Sequence, residues 1–292
     1  MQAKYFFILI SLSLYTLFPG SCSGKATTPP YPQRIVSLGP INTENVFLLG
    51  AGDRLIANTN YCVRPELARK KEKVGSVMQV TIEKIIGLQP DLVLATGLTQ
   101  KLQLRQLEAA GIKVVQFNQP ASFSDICEQF LKLGKLLGLK DRSEQIIVHA
   151  KNSVAKLQKL TSKLPGQKVF LQVGAEPLFS SVPTSFTNDF IVLAGGINIS
   201  WKQKSGITNY EKVIASDPDV IIIAMMGSES GIAAKEQKKW LSMPVISAAK
   251  QKRVFVINPN LICSPSPATF VDTLYAIASL IHPELSGQIT PD

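Results

Sequence analysis

TIEKIIGLQPDLVLA, residues 81–95, superposes without gaps on NYEKVIASDPDVIII, residues 209–223. Glu83, Lys84, Ile86, Pro90 and Asp91 of the first stretch recur as Glu211, Lys212, Ile214, Pro218 and Asp219 of the second, every pair 128 residues apart. In each copy a short helix ends before Pro-Asp, because the residue preceding a proline is pushed out of the helical region, and the apolar run that follows reads as a buried parallel strand. A constant offset over five positions marks a duplicated αβ unit, so two similar lobes are expected.

Outward from this repeat, short β-branched runs alternate with amphipathic helical stretches: RIVSL from Arg34, then RLIANT, DLVLA, KVVQF, KVFLQV, DVIIIA and RVFVIN. Such alternation predicts α/β layers with mainly parallel sheets. Between KVVQF and KVFLQV, residues Ile146, Ile147, Ala150, Val154, Leu157 and Leu164 recur at helical spacing after Asp141-Arg142-Ser143, which reads as an N-terminal cap. A helix from Ser143 to about Lys163 would be roughly 30 Å long, enough to act as a strut between lobes. The expected fold class is therefore α/β, with two similar lobes joined by one long backbone helix: residues 34–141, helix 142–164, and residues 165–292.

Ahead of the lobes, Lys4 precedes an apolar run from Tyr5 to Phe18, followed by Pro19, Gly20, Ser21 and Cys22. This is the pattern of an export signal over residues 1–22, and the run is shorter than the about 20 residues a membrane span needs. Ser21-Cys22 resembles a bacterial lipobox, which makes Cys22 a candidate lipidation site and membrane anchor. Pro19 and Gly20 depart from the lipobox pattern and leave ordinary secretion open. The polar, proline-rich residues 23–33 read as a flexible tether. The expected location is the periplasm or the outer face of the cell membrane.

Composition excludes several function classes. Without the signal the chain holds 30 basic and 21 acidic residues, a formal charge of +9, but the lysines are dispersed, as in AKLQKLTSKLPGQK, with no aromatic-interleaved basic run. A solvated basic surface is expected, with no nucleic-acid partner. Cys62, Cys127 and Cys263 form no Cys-x-x-Cys pair, and the two histidines, His149 and His282, lie far apart. Zinc knuckles, a thioredoxin motif and a histidine-based triad are thus disfavoured. Gly50-Ala51-Gly52 follows a helix and reads as its C-terminal turn, and Gly227–Gly231 carries glutamate where a nucleophile elbow needs serine. No catalytic constellation is visible, so the chain is read as a non-enzyme without an intrinsic cofactor.

The stretches RIVSLGPINTENVFLLGAGDRLIA, TNYC, KVGSVMQVTIEKIIGLQPDLVLATG, KVFLQVGAEPLF and YEKVIASDPDVIII, in this order and spacing, resemble the helical-backbone class of periplasmic binding proteins. The likeness covers nearly all the chain beyond Gln33 and is greatest to the cobalamin-binding members. It implies a monomer that holds a corrinoid, haem or iron-siderophore complex between its lobes and delivers it to the dimeric permease of an ABC importer. By the same resemblance, Glu83 and Glu211 occupy the positions of the two glutamates that dock on permease arginines. Where cobalamin binders carry cleft tryptophans, this chain has Val77 and Thr96.

Candidate ligand residues follow from position. Pro40, Asn42 and Thr43 open the helix after the first strand, where free backbone N–H groups could hold a polar ligand edge or the side chains could simply cap the helix. Tyr61, Cys62 and Phe179 stand in turns that the resemblance places on the cleft walls, with Trp201 and Tyr210 as further aromatics suited to a flat macrocycle. Cys263, in LICSPSP, is expected opposite Cys62; the two could touch the chelate, form a disulfide, bind a soft metal, or be small apolar fillers. A soft-metal receptor or metallochaperone using Cys62 and Cys263 is the alternative function. Cys127, beside Phe130 and Leu131, and Trp240 are expected in the core.

Overall fold

The computed structural model describes residues 30–225 and 231–290; the export signal, Cys22, the tether through residue 29 and residues 226–230 lie outside the described residues. Among the described residues no helix is long and apolar enough to cross a membrane.

The N-terminal lobe runs β1 (Ile35–Ser37), α1 (Pro40–Leu48), β2 (Leu55–Asn58), α2 (Glu66–Arg69), β3 (Glu72–Lys73), α3 (Ile82–Gly87), β4 (Leu92–Thr96), α4 (Lys101–Ala109) and β5 (Val114–Phe117). Its five strands are all parallel, in the order β3-β2-β1-β4-β5. Two helices follow, α5 (Phe123–Leu136) and α6 (Lys140–Thr161). The second lobe contains β6 (Gln167–Ala175), β7 (Leu178–Ser180), α7 (Phe186–Val192), β8 (Gly196–Asn198), α8 (Tyr210–Ser216), β9 (Val220–Ile223), α9 (Ile232–Leu241), α10 (Ser247–Lys250), β10 (Val254–Val256), α11 (Pro259–Ile262) and α12 (Pro267–Ile281). Here β10, β9 and β6 are parallel, and the far edge of β6 pairs with β8 in parallel and with β7 in antiparallel fashion.

The repeated Pro-Asp has a structural cause. The Asp91 carboxylate accepts hydrogen bonds from the backbone N–H groups of Gln33 (2.7 Å) and Arg34 (3.0 Å), at the start of β1. The Asp219 carboxylate likewise accepts from Lys168 N–H (2.7 Å), near the start of β6. In both lobes a basic side chain from that neighbouring strand reaches the helix end: Arg34 donates to the Leu88 and Gln89 carbonyls, and Lys168 to the Ser216 carbonyl. Cations suit that negative end of the helix dipole. Gln89 and Asp217, at matching positions, both turn through positive φ, 47° and 44°.

The strut is α6, whose 22 residues span about 33 Å. It starts at Lys140, earlier than the Asp141-Arg142-Ser143 cap suggested. Leu139 occupies the cap position with no side-chain bond, and the Ser143 hydroxyl donates to the Lys140 carbonyl inside the helix. Ile147, Ala150, Val154 and Leu157 are buried, while Leu164 lies beyond the helix. The apolar face packs against α5 and α12, and one continuous hydrophobic core runs from Ile35 and Leu92 in the first sheet through these helices to Val169 and Val220 in the second. A three-ring stack fastens it: the Phe270 ring lies 4.5 Å from Phe123 and 4.3 Å from Phe190, joining α12, α5 and α7. Each sheet also has its own outer core; in the second lobe it centres on fully buried Trp240, whose indole N–H donates to Gln172 Oε1. Cys127 is buried in the shared core.

Candidate ligand cleft

A parallel sheet presents its loops at the carboxyl ends of its strands, the usual place for ligands in such folds. All five strands of the first lobe supply walls of one cavity of about 830 Å³ in this way: Pro40 to Asn42 after β1, Tyr61 after β2, Ser76 to Met78 after β3, Thr96 to Leu98 at β4, and Phe117 to Gln119 at β5. Gln129 of α5 and Cys263 and Ser264, which follow α11 in the second lobe, complete the lining. At the floor the β1–α1 turn passes so close to Thr96 that a Cβ on Gly39 would lie 2.3 Å from its methyl group, so only glycine fits.

Of the residues singled out by sequence, Pro40, Asn42, Tyr61 and Cys263 line this cavity, and so do Val77 and Thr96. Tyr61 is 54% exposed, leaving its ring free to cover a ligand. The others are placed elsewhere. Thr43 is fully buried and donates to the Ser37 hydroxyl, while Asn42 donates to the Ala95 carbonyl, so neither caps α1; Gly39 holds the cap position. Cys62 is fully buried with its sulfur 3.2 Å from the Thr59 hydroxyl. Phe179 packs flat on Gly206, where a Cβ would meet its ring at 2.1 Å, outside the lining. Trp201 is 61% exposed beneath the Lys202 ammonium and is not part of the lining either. Glu83 and Glu211 are exposed in the first turns of α3 and α8.

Cys62 and Cys263 are free thiols, not a disulfide. The geometry does not bring them together as a pair, since one is sealed under its turn and the other faces the cavity. Burial pushes the Cys263 thiol up to about 11, so it is protonated at neutral pH and is a poor nucleophile and metal ligand. Alkylation of Cys263 by iodoacetamide is therefore expected to be slow at pH 8, where about one thiol in a thousand is ionised, and to rise about tenfold per pH unit toward 11. Peptide mass mapping of the modified protein over that pH range checks it, and a bound ligand should protect the site.

Two supports of the cleft were not legible from sequence. Lys73 donates to Asn58 Oδ1 (2.6 Å) and to the Ala68 (3.1 Å), Thr59 (3.3 Å) and Cys62 (3.4 Å) carbonyls, holding the turn that presents Tyr61. Arg64 stands 2.7 Å from Glu44 and donates to the Ser264 carbonyl at 2.9 Å, and Thr269 also donates to Glu44. This cluster ties the lobes together next to the cavity and consumes the Arg64 charge. A lone basic side chain, whether in a two-residue strand like Lys73 or in a turn like Arg64, carries no periodic signal in the sequence.

Comparison with known proteins agrees with this architecture. Residues 35–261 match the model of a family described as periplasmic binding protein. The ABC transporter substrate-binding lipoprotein YvrC of Bacillus subtilis is 30% identical over 261 residues, 87% of this chain and 81% of that one. The vitamin B12-binding protein of Yersinia pseudotuberculosis is 30% identical over 222 residues, 74% of this chain and 78% of the relative. Among solved structures, a periplasmic heme-binding protein from Pseudomonas aeruginosa superposes with a TM-score of 0.74 at 25% identity, covering 86% of this chain and 93% of that one.

Proposed function

The chain belongs to the periplasmic binding protein family, and on that premise we propose that it is the extracytoplasmic substrate-binding protein of an ABC importer, capturing a corrinoid in its cleft. In this reading it acts by binding and release without turnover, is exported and held at the membrane through lipidated Cys22, and presents Glu83 and Glu211 to the permease.

The observation that carries the choice of ligand is the lining of the cavity. Among the described residues it contains no Lys, Arg, His, Asp or Glu, and its polar groups include four carboxamides, Asn42, Asn118, Gln119 and Gln129. Carboxamides both donate and accept, so they complement a ligand edged with neutral amides, as a corrin ring is. Haem carries two propionates, and burying a carboxylate without a cation is costly. Iron chelates with exposed carboxylates meet the same objection. Tyr61, Phe117, Val77, Met78 and Leu98 add apolar surface for the faces of a macrocycle.

The soft-metal receptor is less well supported, because its two thiols are separated, Cys62 being sealed off and Cys263 protonated at neutral pH. Equilibrium dialysis of the mature protein against cyanocobalamin and against hemin separates the readings. Saturable one-to-one retention of cyanocobalamin is expected, with hemin retained more weakly; tight hemin binding with none for the corrinoid would overturn the assignment.

A further inference from the structure

The helices that follow the repeated strands, α4 and α9, each set two exposed cations one turn apart. Each carries a basic pair at i,i+4, Lys101 with Arg105 and Lys235 with Lys239, and neither has an acid in its first turn. Like charges at this spacing destabilise a helix, and Lys101, in the first turn of α4, also opposes its dipole. No ion pair joins these four side chains to a carboxylate among the described residues. Each helix also exposes a large apolar side chain next to its cations: Leu102 at 66% and Ile232 at 41%.

Position gives the pattern its meaning. Both helices begin at the carboxyl ends of β4 and β9, the edge where the first lobe opens its cleft, and both flank the helices that bear Glu83 and Glu211. On one side α4 packs on α3, and Gln103 donates to the Val80 carbonyl just ahead of it. On the other, the Tyr210 hydroxyl donates to Glu236 of α9 (2.6 Å), while the Lys239 ammonium sits 3.6 Å over the Tyr210 ring beside Glu211.

We propose that these two helix faces form a basic, apolar-tipped rim that rests on anionic phospholipid headgroups when the two glutamates face the permease. The inference rests on the reading of Glu83 and Glu211 as permease-docking residues. If those carboxylates enter basic pockets, cations beside them would be repelled by the same pockets and need another anionic surface, which the lipid around a permease supplies. Cations with adjacent apolar side chains match that interface: headgroup phosphates attract the charges, and Leu102 and Ile232 enter the boundary layer. One such contact stands on each lobe.

The test is co-sedimentation of the chain from Ser23 onward, which lacks the lipid site and keeps the whole compact unit from Tyr31, with phosphatidylcholine vesicles made with and without phosphatidylglycerol. Binding only to the anionic vesicles, weakened by salt, is expected. The combined variant Lys101→Glu, Arg105→Glu, Lys235→Glu, Lys239→Glu should lower it by about a hundredfold or more, at roughly fivefold per charge. None of the four lines the cavity, so cyanocobalamin retention should be unchanged; that reports folding and keeps a failure here distinct from a failure of the ligand assignment. Equal binding to both vesicle types, undiminished binding by the variant, or capture by detergent-solubilised permease without any vesicle binding would overturn the proposal.

Discussion

Phe270→Ala is expected to lower the stability of the whole molecule by about 3–5 kcal/mol, the range for deleting a fully buried aromatic ring. The ring is wholly excluded from solvent and stacked between Phe123 and Phe190. Its removal strips contacts from α5, α7 and α12 at once, where the two lobes share one core. Because that core is common, unfolding should remain a single transition shifted to lower denaturant. Phe270→Leu, which keeps much of the volume, should cost less than half as much. Urea unfolding followed by circular dichroism decides the matter: separate transitions for the lobes in the parent would contradict the shared core.

The second large effect concerns transport. The double variant Glu83→Ala, Glu211→Ala should take up its ligand at about a tenth of the parental rate or less in cells carrying the intact permease, while binding it with unchanged affinity. On the docking role proposed for them, each lost carboxylate would forfeit charge-assisted hydrogen bonds of about 1.5–3 kcal/mol, and 1.4 kcal/mol is tenfold in an equilibrium. Both side chains are exposed, so neither substitution should disturb the fold. Each single variant should show an intermediate defect, because the two lobes present equivalent contacts. Uptake of labelled cyanocobalamin, measured beside dialysis on the purified variants, separates docking from capture.

Much of this architecture was legible because the repeat is enforced by chemistry. Pro-Asp recurs since its carboxylate pins the start of the neighbouring strand in both lobes, and the strut announces itself through an apolar stripe. The expectation of two similar α/β lobes with mainly parallel sheets, joined by a long helix, agrees with the structure. The strands that escaped notice, β3, β7 and β8, are two or three residues long with at most two apolar residues each, whereas the equally short β1 and β10 lie within the longer apolar runs RIVSL and RVFVIN.

The cleft was only partly legible. Tyr61, Val77 and Thr96, flagged by resemblance, and Pro40, Asn42 and Cys263, flagged by position, do line the cavity. Thr43 and Cys62 stand next to lining residues yet are buried: Thr43 turns from α1 to the Ser37 hydroxyl, and Cys62 lies against the Thr59 hydroxyl. Asn118, Gln119 and Gln129, three of the four carboxamides in the lining, were missed; asking which residues follow each parallel strand would have found the first two.

Native mass spectrometry of the protein isolated from its own host tests the central claim most directly. The account predicts a one-to-one adduct with the mass of a cobalt corrinoid, released intact on denaturation. An adduct of haem or of a bare metal ion held through cysteine would contradict it.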